Sequence, residues 1–348
     1  MSDYRLIKGT FHVVGYSPDG DSLKFRANNP KSWAKIETDH RAKFEQQLAS
    51  DEGLVQLRLQ GVDALETHYS PSTPKAPKEV QELKSDKLEK PDSGAHKQPK
   101  LYADMATEGI LRYLGIDRVV WKSWGPHSWI DKAYVKKGKS EICYEDKHED
   151  EFEGYIVTRD VEKNGRPIAW VFAGKTRTRD GSSMTPTVFA RRVHRSANYH
   201  LLEEGLVYPY FYMTLPAKLR NKLSEAAQSA AKKKLNLWGK DETADGVSIT
   251  SVKKLNEEIE IFPYLFRKLL KAWHLRNMQQ YWAALQGEGS KNYDRDDSRI
   301  YPKGLFETGD PYVFLVSDRD FVKLSQIVEI KGSTLTMKRP AYDIVFLS

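Results

Sequence analysis

The stretch that decides the fold runs from Leu54 to Glu66 and reads LVQLRLQGVDALE. Its first residues alternate strictly, with apolar side chains on one face and polar ones on the other: Val55, Leu57 and Leu59 against Gln56, Arg58 and Gln60. A period of two predicts a half-buried β-strand with Arg58 at the centre of its polar face. Asp63 and Glu66 follow where the strand ends, so a guanidinium and two carboxylates lie close together in the chain.

Two predicted hairpins carry further charged residues. The first contains SPDGDSLKF, Ser17–Phe25, and turns at an Asp-Gly pair that is typical of tight β-turns. That turn explains Asp19, but it does not require Asp21. The second hairpin turns near KNGRP, which places Arg166 at its tip.

If these strands are neighbours, three carboxylates and two guanidiniums can converge. Clustered carboxylates repel each other unless a cation lies among them, and hard oxygen ligands fit Ca²⁺ or Mg²⁺. The planar fork of arginine matches a phosphate. Such a set of groups is suited to the attack of water on a phosphodiester.

The order of these motifs resembles the staphylococcal nuclease (thermonuclease) family. DGDS matches the family's Asp-Gly-Asp-Thr, RLQGVDALE matches its Arg-x-x-x-x-Asp-Thr-Pro-Glu, and NGR matches its Tyr-Gly-Arg. LLEEGLVYPYFY and LSEAAQSAAKKKLNLWGKD look like its second and third helices. The resemblance covers about residues 8–240 and is interrupted by insertions.

The resemblance implies an α+β fold, with an OB-type five-stranded β-barrel and three packed helices. It also implies one bound Ca²⁺ and cleavage of DNA and RNA with little sequence preference, leaving 3′-phosphate and 5′-hydroxyl ends. Carried over by position, Asp21 and Asp63 would ligate the metal. The Ala64 carbonyl would join them, and Asp19 would act through water. Glu66 would orient or deprotonate the attacking water, and Arg58 and Arg166 would hold the phosphate.

The chain departs from the family pattern at several positions. Leu65 replaces a proline beside Glu66, and Asn164 stands where the family has a tyrosine that packs on the nucleotide. The expected nucleic-acid contacts of the barrel are Lys163 at the hairpin tip and Tyr210 and Tyr212 after the second helix.

The predicted domain organisation has three parts. Residues 1–240 form the nuclease-like domain, with a flexible insertion at about 69–100, rich in Pro, Lys, Ser and Glu, and a second insertion at about 124–150. Residues 241–250 form a linker. Residues 251–348 form a small C-terminal α+β accessory domain of unassigned role. Binding of a protein partner through this domain is one alternative.

The C-terminal region contains a long predicted helix, about Pro263 to Leu285. One face is apolar, and the other presents Arg267, Lys271 and His274 in line. This basic stripe fits contact with nucleic acid, for which Arg267 and Lys271 are the candidates, but a solvated basic face is the default interpretation.

Composition restricts the classes of function. The 348 residues carry a net charge of +7 with a pI of about 9.1, which suits a polyanionic partner such as DNA or RNA. Cys143 is the single cysteine, so an internal disulfide is excluded. We expect a cytoplasmic protein with no membrane contact, where Mg²⁺ is more abundant than free Ca²⁺. The alternative to a nuclease is a non-catalytic nucleic-acid or protein-binding module on the same scaffold.

Overall fold

The computed structural model describes residues 3–83, 88–124, 127–147, 149–287 and 298–347. The chain divides into two compact units: Met1–Ala64 with Tyr102–Gly239, and Leu65–Leu101 with Lys240–Ser348. From the sequence we expect residues 69–100 within the barrel domain and residues 241–250 as a linker. The structure groups both segments with the C-terminal residues.

The first unit contains twelve of the described strands and five of the described helices. The strands are β1 (Tyr4–His12), β2 (Ser22–Ala27), β3 (Leu54–Leu59), β4 (Val62–Asp63), β5 (Arg118–Trp124), β6 (His127–Lys137), β7 (Ser140–Tyr144), β8 (Phe152–Val161), β9 (Pro167–Ala173), β10 (Ser183–Met184), β11 (Tyr208–Pro209) and β12 (Phe211–Tyr212). The helices are α1 (Arg41–Ser50), α2 (Lys100–Tyr113), α3 (Pro186–Phe189), α4 (Ala197–Glu203) and α5 (Ala217–Lys232).

Five strands close into a barrel in the order β1-β2-β3-β9-β8, because β8 pairs with both β9 and β1. All neighbours are antiparallel except β3 and β9, which are parallel. A register shift between Thr158 and Asp160 marks a bulge in β8, and bulges bend a strand. The predicted α+β class with a five-stranded barrel is confirmed, and the closure is compatible with the OB type.

Apolar side chains fill the barrel, as the alternation of its strands predicts. Phe11 of β1 and Phe25 of β2 are fully buried, and their ring centroids lie 5.1 Å apart. In α5, the apolar residues at helical spacing are buried: Leu219, Leu223, Ala226, Ala227 and Ala230. A stripe of this spacing turns one face of a helix towards the core.

The second predicted insertion forms a separate sheet. Strands β5, β6 and β7 pair as an antiparallel meander, so the sheet begins before the predicted insertion, at Arg118. Trp124, at the end of β5, is 79% exposed.

The second unit is built around one long helix and two small sheets. Its strands are β13 (Val247–Ser248), β14 (Tyr312–Leu315), β15 (Asp320–Lys323), β16 (Val328–Lys331), β17 (Thr334–Met337) and β18 (Ile344–Phe346), and its helices are α6 (Val252–Glu257), α7 (Pro263–Leu285) and α8 (Leu324–Ile327). The sheets have the orders β18-β14-β15 and β13-β17-β16. Helix α7 covers the range that the sequence predicts.

The segment expected to be a flexible insertion packs on α7 in its described part. Val80 is buried against Met278 and Trp282. The backbone of Tyr69 pairs with that of His96, as an isolated bridge. A few well-placed apolar residues give the segment a defined course, although its overall composition is polar.

The basic stripe predicted on α7 is only partly exposed. Lys271 is exposed and Arg267 is partly buried, but His274 is 1% exposed. Burial lowers the pKa of His274, because the charged imidazole loses its hydration. The expectation that His274 lies on a solvated or nucleic-acid-binding face is therefore wrong.

Candidate active site

Arg58 is held at the polar end of the barrel by strand pairing. It lies opposite Ser22 in the β2–β3 ladder, and the neighbouring Leu59 donates its N–H to the Asp21 carbonyl at 2.8 Å. This register brings Arg58 and Asp21 together. The Arg58 Nη1 atom lies 3.9 Å from Asp21 Oδ2.

Asp63 approaches the same guanidinium from the next strand. It lies in β4, opposite Tyr208 of β11, and its Oδ1 atom is 3.4 Å from Arg58 Nη2. Asp63 is 1% exposed and Asp21 is 9% exposed, whereas the Arg58 side chain is 23% exposed. Burying a carboxylate is costly unless a cation compensates it, so Arg58 is a structural counter-charge for both acids.

The Asp19-Gly20 turn packs closely against the rest of the first unit. The φ angle of Gly20 is not positive, so the left-handed conformation typical of an Asp-Gly turn does not explain this glycine. A Cβ atom at Gly20 would lie 2.4 Å from the Cβ of Ala106 and 2.9 Å from that of Ala64. Glycine is therefore required here because α2 and the chain after β4 come so close to it.

Asp19 has an oxygen that is suited to a further ligand. Its Oδ1 atom is buried and has no hydrogen-bond partner among the described residues. A buried acceptor without a donor is costly, and an ordered water or a cation would satisfy it. Ala64, whose carbonyl the sequence analysis proposed as a ligand, is 6% exposed and directly follows Asp63.

Arg166 directly precedes β9 and is paired within its own hairpin. Ile168, two residues further along, is the parallel partner of Arg58 in the β3–β9 pairing. Its Nε atom donates to Glu162 Oε1 at 3.0 Å, and within the described residues it forms no ion pair with either aspartate.

Glu66 belongs to the second unit, where it pairs with a residue of α7. Its Oε1 atom accepts a hydrogen bond from Arg267 Nη1 at 2.5 Å, and these side chains are 23% and 18% exposed. Its backbone exchanges two bonds with Gln98, whose N–H donates at 2.7 Å and whose side chain accepts at 3.2 Å. Burial raises the pKa of the adjacent Tyr69 to about 12, and Glu66 adds to the rise while Arg267 opposes it.

The residues expected to contact nucleic acid differ in their exposure. Lys163 is exposed at the hairpin tip, and Lys271 is exposed on α7. Tyr210 is 7% exposed, and its hydroxyl accepts a hydrogen bond from Tyr212 at 2.9 Å. Tyr210 therefore offers little ring surface to a base, whereas Tyr212 keeps partial exposure.

The candidate metal ligands are oxygen atoms of the kind that a hard cation prefers, although they are few. Within the ranges described, no group of three or more His, Cys, Asp or Glu side chains is arranged to hold a metal ion. Asp21 and Asp63 offer two carboxylates, and the Asp19 Oδ1 atom offers an acceptor without a partner. Ca²⁺ and Mg²⁺ accept backbone carbonyls and water as further ligands, so these residues fit either ion.

Glu162 and Arg267, the ion-pair partners of Arg166 and Glu66, are not among the residues predicted from the sequence. Glu162 precedes Arg166 by four residues in a tight hairpin, so its proximity could have been read from the turn. Arg267 lies 201 residues from Glu66, and no local pattern links them.

No protein-family model matches this chain, and no curated protein matches it either. The resemblance to the staphylococcal nuclease family therefore depends on the motifs and their order. No helix in the described part of the chain has both the length and the apolar character of a membrane span.

Proposed function

We propose that the protein is a metal-dependent nuclease that hydrolyses phosphodiester bonds of DNA, RNA or both with little sequence preference. The observation that carries the proposal is the Arg58 guanidinium beside two buried carboxylates, Asp21 and Asp63, on a closed five-stranded barrel. The arrangement combines a phosphate-binding fork with hard anionic ligands, as the motif order predicts.

In this proposal Arg58 and Arg166 bind the phosphate. Their guanidiniums donate hydrogen bonds to its non-bridging oxygens and stabilise the charge that grows there as water attacks. Arg166 must exchange its bond to Glu162 for a bond to the phosphate. The parallel pairing of β3 with β9, which begins directly after Arg166, supports their joint role.

Asp21 and Asp63, with the Ala64 carbonyl and Asp19 through water, would hold Ca²⁺ or Mg²⁺. A bound ion of this kind supplies positive charge that stabilises the transition state. The proposed cytoplasmic location favours Mg²⁺. The motif assigns Glu66 the role of orienting or deprotonating the water, and Arg267 would limit the rotation of its carboxylate.

A second candidate is a binding module that has the same barrel but no catalysis. One observation favours it: Arg166 and Glu66, two of the three proposed catalytic residues, are paired with Glu162 and Arg267. Such a module would bind nucleic acid or a protein and leave the phosphodiester intact.

One assay separates these two functions. The full chain is incubated with single- and double-stranded DNA and RNA in Ca²⁺, Mg²⁺ or EDTA, and both binding and cleavage are measured. Cleavage that requires a metal supports the nuclease. Binding without cleavage in any metal supports the module and contradicts the nuclease.

A further inference from the structure

A cleft of about 540 Å³ opens in the first unit, at the other end of β2 from Asp21. It is lined by Lys31 and Lys35 from a short 3₁₀ helix, Pro30–Lys35, and by Arg179 from the turn before β10. Ser32, Asp180 and Gly181 also line it. None of these residues belongs to the candidate active site.

Hydrogen bonds fix the walls of this cleft. Asp180 accepts the Lys8 N–H of β1 at 2.8 Å with one oxygen and the Ser32 hydroxyl at 2.7 Å with the other. Ser32 is 4% exposed. The Ser182 hydroxyl donates to the Arg179 carbonyl at 2.6 Å, which closes the turn. The backbones that carry the three cations are therefore held in place relative to one another.

The charge of the cleft favours an anion. Lys31, Lys35 and Arg179 are all exposed, and within the described ranges none of them forms an ion pair. Asp180 offsets one positive charge, and both of its oxygens already accept hydrogen bonds from the cleft walls. A surplus of positive charge around a concave surface attracts and concentrates anions.

Gly181 keeps the floor of the cleft open. Its φ angle is +72°, a conformation that other residues rarely adopt. A Cβ atom there would lie 3.2 Å from Lys35 Nζ and 3.8 Å from Ser32 Oγ. A side chain at this position would enter the space that the cations surround.

We propose that this cleft binds backbone phosphates of a polynucleotide, as a second contact site for the proposed nuclease. Ser22 lies opposite Arg58, and Asn29 at the cleft lies seven residues further along the chain, two residues after β2 ends. At about 3.4 Å per residue, the two sites are separated by at most about 24 Å. That distance equals about seven base pairs of B-form DNA and falls within the range of about 4–16 nucleotides that one OB-type barrel covers. The cleft therefore contacts the same strand away from the bond that is cleaved.

The test measures binding in EDTA, so it is independent of turnover and of the proposed catalytic role of Arg58. The full chain and the variant Lys31→Gln/Lys35→Gln are titrated with a fluorescent 24-base-pair DNA between about 50 and 200 mM salt. The control is Lys137→Gln/Lys139→Gln, which removes two exposed charges, one at the end of β6 and one in the turn before β7. Binding of ADP is measured in parallel, because a nucleotide could supply the same phosphate chemistry.

We expect the cleft variant to lower the slope of log K against log salt by about 1–2 and to weaken binding about 10- to 60-fold at 0.1 M salt. We expect the control to keep the wild-type slope. Equal slopes for the cleft variant and the control would overturn the proposal. The proposal would also be overturned if the cleft variant lost ADP binding while its DNA slope stayed unchanged. That result would assign the cleft to a nucleotide. Absence of hydrolysis in the separate cleavage assay would contradict the nuclease but would leave this binding result valid.

Discussion

Replacing Arg58 with methionine removes the counter-charge from Asp63 and Asp21, which it approaches at 3.4 and 3.9 Å. Breaking a fully buried ion pair costs about 3–5 kcal/mol, whereas exposed pairs contribute about 0–1 kcal/mol. Asp63 is 1% exposed, but the Arg58 side chain is 23% exposed, so the free energy of this pair should lie between the values for buried and exposed pairs. We expect a coupling free energy of about 1–2 kcal/mol between Arg58 and Asp63.

A double-mutant cycle measures this coupling. The free energy of unfolding in urea is determined for the wild type, Arg58→Met, Asp63→Asn and the double variant, with one transition fitted for each unit. The matched control is the cycle of Lys132 and Glu145, whose charged atoms are only 2.7 Å apart but whose side chains are 35% and 60% exposed. Water screens that pair, so we expect its two substitutions to be additive. A coupling for Arg58 and Asp63 no larger than that of the control would refute the account of Arg58 as their counter-charge.

The remaining predictions concern catalysis, packing and pH. Glu66→Gln should lower the rate of DNA hydrolysis about 10²- to 10⁴-fold while binding in EDTA stays unchanged; an undiminished rate would exclude it as the base. Gly20→Ala should destabilise the first unit by about 1–3 kcal/mol in urea, because its Cβ would overlap Ala106, and wild-type stability would contradict that contact. Burial lowers the pKa of His274 and of His96, so the second unit should lose stability as the pH falls from about 7 to 5, when the unfolded chain binds more protons. His274→Phe should reduce this pH dependence, and an unchanged dependence would exclude His274 as a contributor.

The strand that carries Arg58 could be predicted from a local signal, whereas the barrel was implied by the resemblance of the motif order. The alternation from Leu54 to Leu59 fixes both the strand and the face of Arg58, and Asp63 follows within five residues. Asp21 required the additional knowledge that β2 pairs with β3 across 26 intervening residues, which the motif order supplied. A sequence shows the periodicity of one strand directly, but it does not show directly which strands pair.

Other features could not be predicted because they depend on contacts between distant parts of the chain. Glu66 meets Arg267 across 201 residues, and the polar segment before α2 is ordered through single apolar residues such as Val80. Composition averages over such residues and misses their positions. His274 continues the spacing of the basic stripe on α7, yet it is 1% exposed, and the spacing along one helix gives no sign of this burial.

The most direct test of the central claim is hydrolysis of DNA and RNA by the wild type and by Asp21→Asn, each in Mg²⁺, in Ca²⁺ and in EDTA. The account predicts that the wild type cleaves when one of the two ions is present, that EDTA abolishes cleavage, and that Asp21→Asn loses it while the barrel stays folded. Cleavage by the wild type that persists in EDTA, or an Asp21→Asn variant as active as the wild type, would contradict it.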